Sequence, residues 1–136
     1  MLALPVDVRD GEGNTPLHIA VGNEGGDESA VEALLDLGAD VNALTPLGRT
    51  PLIIAIDEGH NTRIVVPLLL ARGANVRQVT TAGISVHEYA IQSVQIWEKI
   101  VADHKQETGE NARPYREQAL AEARNILEII EAELEK

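Results

Sequence analysis

Residues 13–20 read GNTPLHIA, and residues 48–55 read GRTPLIIA. The second copy follows the first at an offset of 35 residues, and a third, degraded copy, GISVHEYA, opens at Gly83 after another 35. At that offset Gly13, Gly48 and Gly83 coincide, followed by Thr15, Thr50 and Ser85, then by Ala20, Ala55 and Ala90. Leu34–Leu35 falls on Leu69–Leu70, and GADVN at 38–42 falls on GANVR at 73–77. A fixed period of this size is the mark of a stacked supersecondary unit.

Each shared letter has a mechanical reason. A glycine two places before the threonine permits the positive φ that a tight turn needs. The threonine hydroxyl then caps a helix, and Pro16 or Pro51 takes the first helical position, where a missing N–H costs nothing. Leu17 and Leu52 begin the buried stripe, and Ala20 and Ala55 are small so that a neighbouring helix can pass. A second helix carries Ala30, Val31, Leu34 and Leu35, or Val65, Val66, Leu69 and Leu70, at helical spacing. Gly38 and Gly73 fit the left-handed stop at its C-terminus. Each unit therefore reads as turn, short helix, turn, longer helix, glycine stop. No single pair can bury its apolar face, so the units stack.

These residues resemble the ankyrin repeat, whose T-P-L-H-x-A signature stands as Thr15-Pro16-Leu17-His18-Ile19-Ala20. TPLIIA, the Gly59–His60 pair and LLLARGANV at 68–76 reinforce it. The resemblance covers about residues 10–80 and implies an all-α solenoid of helix-turn-helix units, here with a non-repeat two-helix C-terminal extension. It also implies a bond from His18 across neighbouring turns, lost in the second copy where Ile53 replaces the histidine. The expected organisation is a single domain over 1–136. Residues 1–12 are the remnant of a preceding turn, 13–47 repeat 1, 48–82 repeat 2, 83–107 a degenerate repeat 3 drawn out as a long helix, and 113–136 a C-terminal capping helix.

Departures from the family pattern carry expectations of their own. The family period is about 33 residues; here it is 35. Pro67 falls inside the second helix of repeat 2, which is expected to start late or to kink. In the third copy Val86 and His87 replace the proline and leucine, which puts its packing against repeat 2 in question. No helix pair precedes repeat 1, so Leu and Val of the N-terminal face need a cover, either a longer parent chain or self-association.

From Val86 to about Glu107 there is neither Gly nor Pro, and Ala90, Val94, Trp97, Val101 and His104 recur at helical spacing. One long helix is the reading; a broken pair is its rival, since Ile100 and Val101 align with Val65 and Val66. Pro114 suits the start of a last helix, with Leu120, Ala123, Leu127, Ile130 and Leu134 as its stripe. This stripe spans about two heptads, too few for a coiled coil, so capping the stack is its expected role.

Composition narrows the function. The 136 residues are 44% hydrophobic but only 2% aromatic, with one Trp, two Tyr and no Phe, a balance that suits closely stacked helices. Twenty-two acidic against 11 basic residues give a net charge of −11. Such a field disfavours nucleic acid and anionic membranes and speeds encounter with a basic protein. There is no Cys, no signal peptide and no run approaching a membrane span, so the expectation is a cytoplasmic protein. His18, His60, His87 and His104 share no metal-ligand spacing, and no phosphate-loop, dinucleotide or nucleophile-elbow motif occurs, so no catalytic residue, metal or cofactor is expected.

The expected function is non-enzymatic: a protein–protein interaction module holding a basic protein partner on its concave turn-and-helix surface. The alternatives are a dedicated inhibitor of a basic toxin or enzyme, of the immunity-protein kind, and a homo-oligomeric scaffold. Positions similar to those with which ankyrin proteins contact partners are Glu12, Asn14 and Asn23 in repeat 1; Pro46, Leu47, Arg49, Asp57 and Glu58 in repeat 2; and Ile84 in repeat 3. LTPLGR, residues 44–49, places Leu47 and Arg49 at a turn tip, where folding gives an apolar residue no role. A scattered surface leucine is the ordinary explanation; an apolar anchor beside an arginine is the functional one.

Overall fold

The computed structural model describes residues 6–22, 28–58, 62–108 and 114–136. Six helices follow one another: α1 (Pro16–Gly22), α2 (Glu28–Asp36), α3 (Pro51–Glu58), α4 (Thr62–Ala71), α5 (Val86–Thr108) and α6 (Pro114–Leu134). Among the described residues the only β pairing is an isolated bridge between Val79 and Ser85. The fold is the all-α repeat solenoid expected. Helices pair as hairpins, α1 with α2, α3 with α4 and α5 with α6. Side by side, α1, α3 and α5 form an inner layer, while α2, α4 and α6 form an outer one.

Helix starts follow the local chemistry. Thr15, Thr50 and Ser85 hydroxyls accept the N–H of His18, Ile53 and Glu88, each three residues on, at 3.4, 3.3 and 3.1 Å. The outer helices stop as their glycines dictate. Gly38 and Gly73 sit at φ of 95° and 91°, and Ala39 and Ala74 N–H groups reach back to the Leu34 and Leu69 carbonyls. Between hairpins, Leu17, Leu52, Ile53, Val65, Val66, Leu69 and Val86 are buried completely or nearly so. They form one core running from α1 to α6.

Three expectations are decided here. Helix α4 does not start late: it begins at Thr62, ahead of Pro67, which is exposed. Helical geometry forgoes only the bond from position 67 to the Arg63 carbonyl, so the rest of the helix forms. Residues 86–108 are one helix of 23 residues, not a broken pair. Repeat 3 also packs soundly on repeat 2. Val86, at the proline position, is fully buried, as Pro51 is in repeat 2, while His87, at the leucine position, turns outward to Glu131 of α6 at 3.2 Å.

Helix α6 lies against α5 along its length and against α4 at one end, so it occupies the outer-layer slot of a third unit. Its Ile126 and Ile130 join the main core. Beyond the repeat stack, Leu120 and Ala123 build a second small core with Val94, against which Trp97 and Val101 pack.

A side-chain ladder on the same period ties the units together. Asp7 accepts the Asp40 N–H at 3.1 Å, and Asn42, 35 residues on, accepts the Asn75 N–H at 2.8 Å. At the next step stands Arg77, whose guanidinium donates to the Leu134 carbonyl at the end of α6 (2.7 Å). A cation at a helix C-terminus is favoured both by the free carbonyl and by the helix dipole.

Candidate protein-binding face

A short turn precedes each of the three inner helices, and their construction repeats. In each, residue i closes a turn with the glycine at i+3: Asp10 with Gly13, Thr45 with Gly48, Thr80 with Gly83, at 3.0, 2.8 and 2.9 Å. The glycines have φ of 83°, 74° and 81°, the region that side chains disfavour. The first side chain braces the turn: Asp10 Oδ1 accepts the Asn14 N–H, Thr45 Oγ1 that of Arg49, and Thr80 Oγ1 that of Ile84. Asp10 also accepts the Glu12 N–H, and these backbone donors, Asn14 first, hold its carboxyl below the usual range.

Neighbouring turns touch. The Leu47 carbonyl accepts both the N–H and the hydroxyl of Thr81 at 3.0 Å. Arg9 bridges the Gly13 and Leu44 carbonyls at 2.8 and 2.7 Å. Beneath them lies His18, buried, as the resemblance implies. Its Nε2 faces the Ala43 and Arg49 carbonyls at 2.8 and 3.2 Å, so it carries the proton, while Nδ1 accepts the Thr15 N–H at 3.0 Å.

Burial, with lesser help from Arg9 and Arg49, lowers the pKa of His18 from its ordinary 6.5. Protonation also deprives Thr15 of its acceptor. The unfolded chain therefore takes up this proton first. His18 contributes fully above about pH 6.5 and loses its contribution as pH falls from there towards the lower folded-state value. In an NMR titration its midpoint is expected below that of a histidine in the unfolded chain; a midpoint at or above 6.5 would contradict this account.

Between the first two turns lies a groove of about 580 Å³. It brings together Glu12, Asn14, Pro46, Leu47 and Arg49 of the expected positions, with Ile19 and Ile54 contributing apolar surface. Leu47 stands at the tip with 64% of its surface exposed. Arg49 is placed otherwise than expected. Its side chain turns down from the tip, 17% exposed, pairs with Asp57 at 2.6 Å and lies 5.9 Å from the Tyr89 ring centre. It is the strut of the inner face, not a free tip cation. Ile84 is half-buried in the third turn, away from this groove. Asn23, His60 and the side chain of Glu58 lie outside the described residues.

A second concavity was not foreseen. Helix α5 has 23 residues against the 8 of α3, so it runs on past the stack. Under the overhang Ile56, Asp57, Tyr89, Ile96, Trp97 and Glu122 line two joined hollows of about 410 and 210 Å³. The long Gly- and Pro-free stretch was the signal, but it gives no depth or lining until α6 is placed. No three His, Asp or Glu side chains among the described residues converge as a metal site, and no helix among them is long and apolar enough to cross a membrane.

No curated protein matches the chain. A family model described as Ankyrin repeats (3 copies) matches residues 1–80, the stretch that holds the first two helical hairpins and the base of the third turn. With more than half its length so matched, and with inner and outer helices, projecting turns and a buried turn-bridging histidine in place, the chain belongs to the ankyrin-repeat family, a family of protein–protein interaction modules.

Proposed function

We propose that the chain is a non-enzymatic binding module that holds a basic protein partner on its turns and inner helices. The exposed tip of the second turn carries this reading. Leu47 is held out by a closed turn, tied to the third turn through its own carbonyl, and stands over a groove with Ile19 and Ile54 in its walls. A rigid apolar side chain beside a groove is the usual form of an interface anchor. The net charge of −11 favours a basic partner, chiefly by speeding encounter.

Leu47 makes no described contribution to the core, so Leu47→Glu should leave the melting temperature unchanged. Recovery of the partner in a quantitative pull-down should fall by about tenfold or more, the effect of losing one central anchor. Equal recovery by wild type and variant would dispose of the tip as the binding element. Mass measurement across a concentration series separates this reading from a self-assembling scaffold, which would show mass rising with concentration.

A further inference from the structure

The hollow beneath the α5 overhang has a chemistry of its own. Ile56, Ile96 and Trp97 give it apolar lining, and Trp97 is held by packing against the small second core. Ile96 is 58% exposed. The charged side chains along it are Asp57 and Glu122; no Lys, Arg or His lines it among the described residues. Glu122 has no ion-pair partner among the described residues and accepts only the Gln118 amide at 3.2 Å.

The protein itself displays what such a setting accepts. At the rim, the Arg49 guanidinium lies on the Asp57 carboxylate and against the Tyr89 ring. Carboxylate plus aromatic face is a pairing that attracts a guanidinium by Coulombic and cation–π terms together. Trp97 and Glu122 repeat those two components in the lining of the same hollow. We infer that this hollow is a second binding surface, beyond the turns, which receives an arginine-bearing amphipathic segment of a protein partner. The segment's apolar side lies on Ile56 and Ile96, and an arginine reaches Glu122 across the Trp97 ring.

Trp97 is the sole tryptophan, so its emission reports on this hollow alone. The probe is an end-blocked helical peptide of arginine and leucine, free of Trp and Tyr, added to the full chain. Its companion carries citrulline at every arginine, which keeps shape and removes charge. The arginine peptide is expected to give a saturable change in emission that weakens with rising salt, and the citrulline peptide none. Glu122→Gln should weaken binding about tenfold, the worth of one charge-assisted hydrogen bond. Ile96→Glu, at an exposed position, should weaken it as well, with unchanged circular dichroism showing the fold intact. Leu47→Glu should leave the titration as in wild type. Equal response to both peptides, indifference to Glu122→Gln and Ile96→Glu, or loss of the response in Leu47→Glu would each overturn the assignment. The last outcome would move the site to the turns, whereas a failed titration leaves the turn surface untouched.

Discussion

Replacing Leu52 by Ala is expected to cost about 2–5 kcal/mol of stability, the range for a leucine emptied from a packed core. The side chain is completely buried at the start of α3. That helix touches α1 on one side, α5 on the other and α4 behind, so a void there weakens three interfaces at once. Natural domains of this size hold only about 5–15 kcal/mol in total. Urea unfolding of the variant should show a midpoint far below wild type, with the whole helical signal lost in one step. Each unit is stable only through its neighbours, and a transition in which α5 and α6 persist after α1–α4 have melted would contradict the continuous core. A loss under 1 kcal/mol would show that the site collapses around the gap.

The second large effect concerns Gly48. A side chain there must adopt φ near 74°, a strain of about 1–3 kcal/mol for a non-glycine residue. Its Cβ would also stand 3.0 Å from the Thr81 backbone nitrogen, which has no rotamer with which to retreat. Gly83 occupies the same place in the next turn, at φ 81°, yet a Cβ there meets nothing within 4 Å. Comparing Gly48→Ala with Gly83→Ala therefore separates dihedral strain from inter-turn contact. Thermal unfolding should show Gly48→Ala as the more damaging, and amide exchange at Thr81 should quicken in that variant alone, because its bond to the Leu47 carbonyl is displaced. Equal losses for the two would mean that the turns do not support each other.

The parts of this architecture legible in the sequence are those decided by local chemistry. Thr15 and Thr50 cap, Pro16 and Pro51 start helices, Gly13 and Gly48 close turns, and Gly38 and Gly73 end helices, because each effect acts within about four residues. Parts decided by a distant neighbour were illegible. Val86, at the proline position, is sealed in the core that runs from α1 to α6, and His87, at the leucine position, was released outward to Glu131. Pro67 looked disruptive on its own, but its exposed position let the helix pass. Arg49 was read as a tip residue from its place in LTPLGR; Asp57 and Tyr89, remote in sequence, draw it inward. The hollow under α5 needed the greatest range of information, since it arises from the mismatch between a long helix and a short neighbour, closed by a helix from the end of the chain.

The ladder of Asp7, Asn42 and Arg77 has a consequence for how the last helix is held. An acceptor side chain at the first two rungs welcomes the backbone of another unit, whereas the guanidinium at the third clasps the C-terminal carbonyl of α6. Exchanging that arginine for an acceptor would release α6 and leave the rung shaped to take a backbone N–H. One side chain thus decides whether a rung receives a backbone donor or holds a helix end.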